Sequence, residues 1–130
     1  MAKRKVAALI TDGVMRDMEG VLATGLPVWC AGAAAPASVA GLTFINWQEP
    51  IACGGVAIFP GDTIVADGDG AVVIPQAMLA EVTALAAEQE IQESWIMGEI
   101  EKGAALPGLY PPNDETKARY AAWRKSKGNG

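Results

Sequence analysis

The alternation of apolar and polar positions divides the chain into short strand-like runs followed by helical stretches. Val6-Ala7-Ala8-Leu9-Ile10 is a run of apolar or small residues that ends at Thr11-Asp12-Gly13, which reads as a buried strand stopped by a tight turn. Met15 to Ala23 then carries apolar residues at Met15, Met18, Val21 and Leu22, a short helical spacing for which Gly25 is a natural stop. Leu26-Pro27-Val28-Trp29-Cys30 reads as a second buried strand, with Pro27 placing it at a strand start or an edge. Ala31 to Ala40 is almost entirely Ala, Gly, Pro and Ser, a loop whose small residues suit close approach by another group. Leu42 to Gln48 alternates loosely and predicts a further strand.

From Cys53 to Pro75 three β-rich runs are separated by Pro60-Gly61-Asp62 and Asp67-Gly68-Asp69-Gly70, the punctuation of a tight meander of hairpins. The second of these turns looks superficially like a calcium loop. It lacks the further ligands and the terminal glutamate at the required spacing, so it is a turn. Pro75 opens a long helix from Gln76 to Lys102, with Gly98 as a candidate break and Gly103 as its stop. At 1.5 Å per residue that helix would span about 40 Å, long enough for part of it to pack on another subunit. Met78, Leu79, Val82, Leu85, Ile91, Trp95, Ile96 and Ile100 mark its apolar side, and Glu81, Glu88, Glu99 and Glu101 are candidates for a solvated face. Leu106 to Pro112 reads as an extended surface wrap. Glu115 to Lys125 reads as a last short helix with Tyr120 and Trp123 docked, and the end from Ser126 to Gly130 as frayed.

Composition narrows the classes of function. The 130 residues are 51% hydrophobic and 19% charged, which suits a globular chain of domain size, able to bury roughly two thirds of its unfolded surface. A net charge of −5 argues against a general nucleic-acid binder, although a small basic tail follows Asp114. No histidine is present, which removes His-based metal sites and Ser-His-Asp or Cys-His catalysis. Cys30 and Cys53 read as free core thiols. Met1-Ala2-Lys3-Arg4-Lys5 has the charge of a signal peptide's basic region, but the apolar stretch behind it stops at Thr11-Asp12. A cytoplasmic protein without a membrane span is the expectation.

The one place that offers chemistry rather than packing is Arg16-Asp17, delivered just beyond the first strand, where α/β folds place their ligands. A guanidinium and a carboxylate there suit an anionic substrate and a divalent metal. On residue types alone the pair is equally a helix-start acid beside a surface arginine.

Thr11-Asp12-Gly13-Val14-Met15-Arg16-Asp17, Gly25-Leu26-Pro27-Val28-Trp29, Gly54-Gly55-Val56, Pro60-Gly61-Asp62, Val65 to Pro75 and Gly108-Leu109-Tyr110-Pro111-Pro112 together resemble one family. It is that of the regulator of ribonuclease activity A, which also contains the class II 4-hydroxy-4-methyl-2-oxoglutarate aldolases. The resemblance implies an α/β fold, a swivelling β/β/α domain akin to phosphohistidine domains. Residues 1–112 would form the domain, and residues 113–130 an extension with a short helix. It implies assembly as a homo-oligomer, a trimer or hexamer, with sites between subunits.

In the aldolase members the arginine holds the keto-acid and the developing enolate, and the aspartate anchors magnesium or manganese. These roles fall on Arg16 and Asp17, and the same enolate step would serve oxaloacetate decarboxylation. The family also draws a carboxylate from a neighbouring subunit, for which Glu90 and Glu93 are candidates, although a solvated helix face is the simpler reading of them. The aldolase pattern carries one more acidic residue, with twenty residues between it and the arginine, and counting back from Arg16 passes Met1. The expectation is therefore a match to the carboxyl-terminal portion of the family fold. The regulator members imply a second function: binding and inhibition of a ribonuclease, without catalysis.

Overall fold

A computed structural model describes residues 1–35, 37, 39 and 41–128, so Pro36, Ser38 and Ala40 of the predicted loop and Asn129 and Gly130 of the predicted frayed end lie outside the described residues. The chain forms two compact units, Met1–Leu79 and Ala80–Gly130.

The described residues of the first unit form eight short strands, one turn of α-helix and 3₁₀ turns at Ala2–Arg4 and Gln76–Met78. Strand β1 (Leu9–Ile10) pairs in parallel with β3 (Val28–Trp29), and β2 (Val14–Met15) pairs in parallel with β4 (Gly32–Ala33). Between the two ladders the Thr11 N–H donates to Trp29 O and the Ala31 N–H to Gly13 O, each at 2.9 Å, so the two segments run alongside each other without interruption. Parallel neighbours need a crossover, and helix α1 (Met18–Leu22) with its following turn supplies it. Pro27, which has no N–H to give, serves the ladder as an acceptor for the Leu9 N–H at 2.9 Å.

Two antiparallel hairpins follow, β5 (Ile51–Cys53) with β6 (Val56–Ile58) and β7 (Thr63–Ala66) with β8 (Ala71–Ile74). The predicted meander is thus two separate two-stranded ladders rather than one continuous sheet. The β5–β6 loop is Gly54-Gly55 with φ of 59° and 78°, a turn that side-chain-bearing residues rarely enter. In the β7–β8 loop, Asp67 Oδ1 accepts from the Asp69 and Gly70 N–H groups at 2.9 and 3.3 Å. That carboxylate is occupied by its own turn, as the hairpin reading requires. Side chains tie the hairpins to the parallel strands: Asp12 Oδ2 accepts from the Gly54 N–H at 2.9 Å, and Trp29 Nε1 donates to Asp67 O at 2.7 Å.

Three expectations fail in this unit. Val6, Ala7 and Ala8 stand outside β1, and Leu26 is the unit's only buried apolar side chain among the described residues, so the strands are half-covered rather than buried. The predicted strand Leu42–Gln48 does not form. Alternation breaks at Phe44-Ile45, no described strand offers it a ladder, and Leu42, Phe44, Ile45 and Trp47 are 74% to 86% exposed. Cys30 and Cys53 are free, but only half-buried, not core thiols.

The second unit is a helical hairpin. After a 3₁₀ turn at Gln76–Met78, helix α2 runs from Leu79 to Glu101 unbroken through Gly98, and Gly103, at φ 94°, closes it with an N–H to Ile100 O of 2.8 Å. Helix α3 (Asp114–Ser126) starts on Asn113, whose side chain accepts from the Thr116 N–H at 2.9 Å. Trp95, Ile96, Leu109 and Tyr120 form the core, with Trp123 against it and ring centroids 5.5 to 6.3 Å apart. The segment before α3 is therefore more than a surface wrap, since Leu109 is among the most buried side chains of the chain.

Two acids assigned to the solvated face instead hold α3 to α2. Glu88 accepts from the Tyr120 hydroxyl and from Arg124, whose Nη2 lies 3.1 Å from Oε2. Glu99 pairs with Arg119 and, at 2.8 Å, with Lys102, while the Arg119 guanidinium sits 5.6 Å from the Trp95 ring centre. Among the described residues no helix is long and apolar enough to cross a membrane.

Two outcomes follow from these arrangements. Hydrogen bonds from Arg124, then Tyr120, hold the Glu88 carboxyl below the ordinary carboxylate range, and Lys102, with Arg119 adding to it, does the same for Glu99. A folded-state pKa below the unfolded value contributes stability above the unfolded pKa and loses it as pH falls through the folded one. The α2–α3 hairpin should therefore weaken below the ordinary carboxylate range, read as a change in Trp95 and Trp123 fluorescence, and Glu88→Gln should flatten that acid limb. The second outcome concerns Asp17, which precedes α1 in the left-handed conformation with φ 57° and ψ 37°. A Cβ costs roughly 1–2 kcal/mol there, so urea unfolding should find Asp17→Gly about 1 kcal/mol more stable than Asp17→Ala.

Candidate functional site

Arg16 and Asp17 leave the carboxyl end of β2, next to the end of β4, the position at which parallel strands deliver ligand-binding groups. Adjacent residues on a helix point apart, but the left-handed backbone at Asp17 turns its carboxylate back towards its neighbour. Arg16 Nε donates to Asp17 Oδ2 at 3.2 Å. The two side chains are 53% and 73% exposed. An ion pair this open contributes little to stability, so the pair is better explained by what it can bind than by what it holds together.

Beside it lies an open depression of about 460 Å³, lined by Met15, Arg16, Asp17, Ala33, Ala34 and Ala35. The β2–β4 register sets Ala33 across from Met15, and the Ala34 N–H donates to Met15 O at 2.9 Å. The lining thus joins a guanidinium and a carboxylate to Met15 and three alanines. The sequence placed Ala33 to Ala35 in a loop. Its only signal for their role was the run of small residues, because a two-residue strand has too little pattern to read.

Among the described residues no three Asp, Glu or Cys side chains are grouped to hold a metal ion. Asp17 would stand as a single carboxylate anchor. Its Oδ2 receives Arg16, and Oδ1 receives no hydrogen bond from the described residues. That donor set fits a hard cation that keeps most of its waters and takes one or two carboxylates, and it does not fit a closed site made by protein alone.

Glu90 and Glu93 lie on α2 in the second unit, Glu90 exposed and Glu93 half-buried with Oε1 accepting from Gln89 Nε2 at 2.9 Å. They do not stand with Arg16 and Asp17 in one unit.

Comparison with known proteins places this arrangement in context. A protein from Halalkalibacterium halodurans, provisionally named 4-hydroxy-4-methyl-2-oxoglutarate aldolase, is 44% identical over 72 residues, 55% of this chain and 33% of its own. Protein DlpA of Legionella pneumophila is 32% identical over 104 residues, covering 80% of this chain and 17% of its own. Among solved structures, Streptomyces coelicolor RraAS2, described as an unusual member of the RNase ES inhibitor RraA family, matches with a TM-score of 0.64 and 41% identity, over 72% of this chain and 48% of that one. The chain spans less than half the length of each of these relatives. A family model described as RraA-like (aldolase/RraA) matches residues 1–73, which hold both parallel ladders and the Arg16–Asp17 pair. With its α/β architecture, this chain belongs to the RraA-like family.

Proposed function

We propose that the Arg16–Asp17 depression is the keto-acid-binding part of a lyase site of the aldolase or decarboxylase type. The substrate would be a pyruvate-derived keto-acid such as 4-hydroxy-4-methyl-2-oxoglutarate or oxaloacetate. The observation that carries this reading is the exposed guanidinium–carboxylate pair at the end of a parallel strand, in a chain 44% identical over 72 residues to a protein bearing an aldolase name.

Only Nε of Arg16 is committed to Asp17, which leaves the two terminal guanidinium nitrogens for an anion. The bond that breaks joins the carbon next to the keto group to the carbon beyond it. The departing fragment leaves as a second keto-acid once its hydroxyl has given up a proton, or as carbon dioxide. The electron pair is delocalised onto the former carbonyl oxygen as an enolate, and a proton added to carbon then gives pyruvate. Arg16 would hold the substrate's anionic end and stabilise that oxygen as its charge develops. Asp17 would keep the Arg16 side chain oriented and anchor magnesium or manganese. When bound, the cation would add positive charge at the same oxygen. Sites shared between copies in a homotrimer or hexamer would supply the remaining ligands, with Glu90 or Glu93 as candidate carboxylates.

The likeness to RraAS2 supports a second reading, a protein-binding regulator of a ribonuclease that works through an acidic surface and needs no catalysis. One substitution separates the two. With magnesium present, Arg16→Ala should lower pyruvate release from either substrate by about 10²–10³-fold. If pyruvate is released but Arg16→Ala leaves the release unchanged, the assignment of Arg16 fails. If no pyruvate is released and the only activity found is ribonuclease binding that survives both Arg16→Ala and removal of metal, the lyase reading fails and the regulator reading stands.

A further inference from the structure

Resting on the keto-acid reading of the Arg16–Asp17 depression, we infer that Lys3 is a specificity-determining residue, which holds the far carboxylate of a keto-dicarboxylate. Met15 and Asp17 line that depression and also a second one, of about 560 Å³, so the two adjoin. Lys3 and Asp17 are the charged side chains that line the second, among apolar residues that include Leu9, Val21 and Leu26. Of the three successive cations Lys3, Arg4 and Lys5, Lys3 is the one that lines it. A 3₁₀ turn over Ala2–Arg4 places it there. The Arg4 N–H donates to Met1 O and the Lys5 N–H to Ala2 O, each at 2.9 Å, and Lys5 ends the turn in the left-handed conformation at φ 56°. Lys3 is exposed and enters no ion pair among the described residues, so its ammonium is available to a ligand.

Arg16 and Asp17 are the charged side chains of the first depression, and their charges cancel. A keto-dicarboxylate brings two negative charges, and Arg16 meets the carboxylate beside the keto group. The first depression offers no second cation to the far carboxylate, which gains one by extending past Asp17 towards Lys3. A lysine suits that end of the ligand, because its compact charge rides on a flexible four-carbon stem. In 4-hydroxy-4-methyl-2-oxoglutarate the far carboxylate survives the bond breaking, so Lys3 holds it in substrate and product alike. In oxaloacetate the far carboxylate is the group lost as carbon dioxide, and a cation that holds it as an anion opposes that loss. Lys3 therefore favours aldol cleavage over decarboxylation.

The test measures binding of the full chain, with magnesium, to pyruvate, 2-oxopentanoate and 2-oxoglutarate by titration calorimetry. The last two share a five-carbon backbone that ends in a methyl group or a carboxylate, and neither carries the 4-hydroxyl that cleavage needs. Wild type should bind 2-oxoglutarate about fivefold more tightly than 2-oxopentanoate. Lys3→Met should remove that preference while leaving pyruvate binding unchanged, and Lys3→Arg should keep it. Arg16→Ala should weaken all three ligands. A wild type without the preference, or a preference that survives Lys3→Met, would overturn the inference while leaving an Arg16-dependent keto-acid site intact. If no ligand binds, or Arg16→Ala changes nothing, the keto-acid reading fails and this inference falls with it.

Discussion

The parallel pairing of β2 with β4 is the constraint on which the candidate site depends. It fixes Met15 opposite Ala33, so the residues that follow on each strand line one depression. The left-handed turn at Asp17 completes the arrangement. An ordinary helical start would send Arg16 and Asp17 in different directions, whereas φ 57° brings Nε and Oδ2 to 3.2 Å. Aspartate tolerates this region better than most side chains, yet it still carries a conformational cost. The exposed ion pair it creates returns little of that cost as stability. Strained backbone retained for an exposed polar pair is the pattern expected of a binding site.

The two units are stabilised by different means. In the first, short ladders are tied together by single side chains, Asp12 to Gly54 and Trp29 to Asp67, over little buried apolar surface. In the second, three aromatic rings and the chain's main apolar cluster lock a helical hairpin, and Glu88 and Glu99 fasten its outer edge. Leu42, Phe44, Ile45 and Trp47 remain largely exposed although their composition is that of a buried strand.

What the sequence disclosed follows the range of the interactions involved. Turns encoded by adjacent residues were legible: the Asp67–Gly70 hairpin loop and Gly103 closing α2 both rest on local backbone chemistry. Arg16-Asp17 stood out because two charges directly follow an apolar run. The features that were not legible depend on distant partners. Strand Gly32–Ala33 exists only because Val14–Met15 lies beside it, and nothing in two small residues announces that. Glu88 and Glu99 looked like solvated positions because Arg124 and Arg119, which tie them to α3, lie 36 and 20 residues further on. The reverse error occurred at Leu42–Gln48, where an apolar pattern predicted a strand and no described neighbour pairs with it.

The central claim is that the turn at Asp17 presents a preformed carboxylate anchor beside Arg16. Carboxyl-carbon NMR of the full chain during a magnesium titration tests it most directly, because it reads each aspartate separately and needs no turnover. The account predicts a saturable shift at Asp17 that is lost in Asp17→Asn. Asp62 and Asp67, whose carboxylates are committed to backbone N–H groups, should stay still. An unmoved Asp17, or an equal response at all three residues, would contradict it.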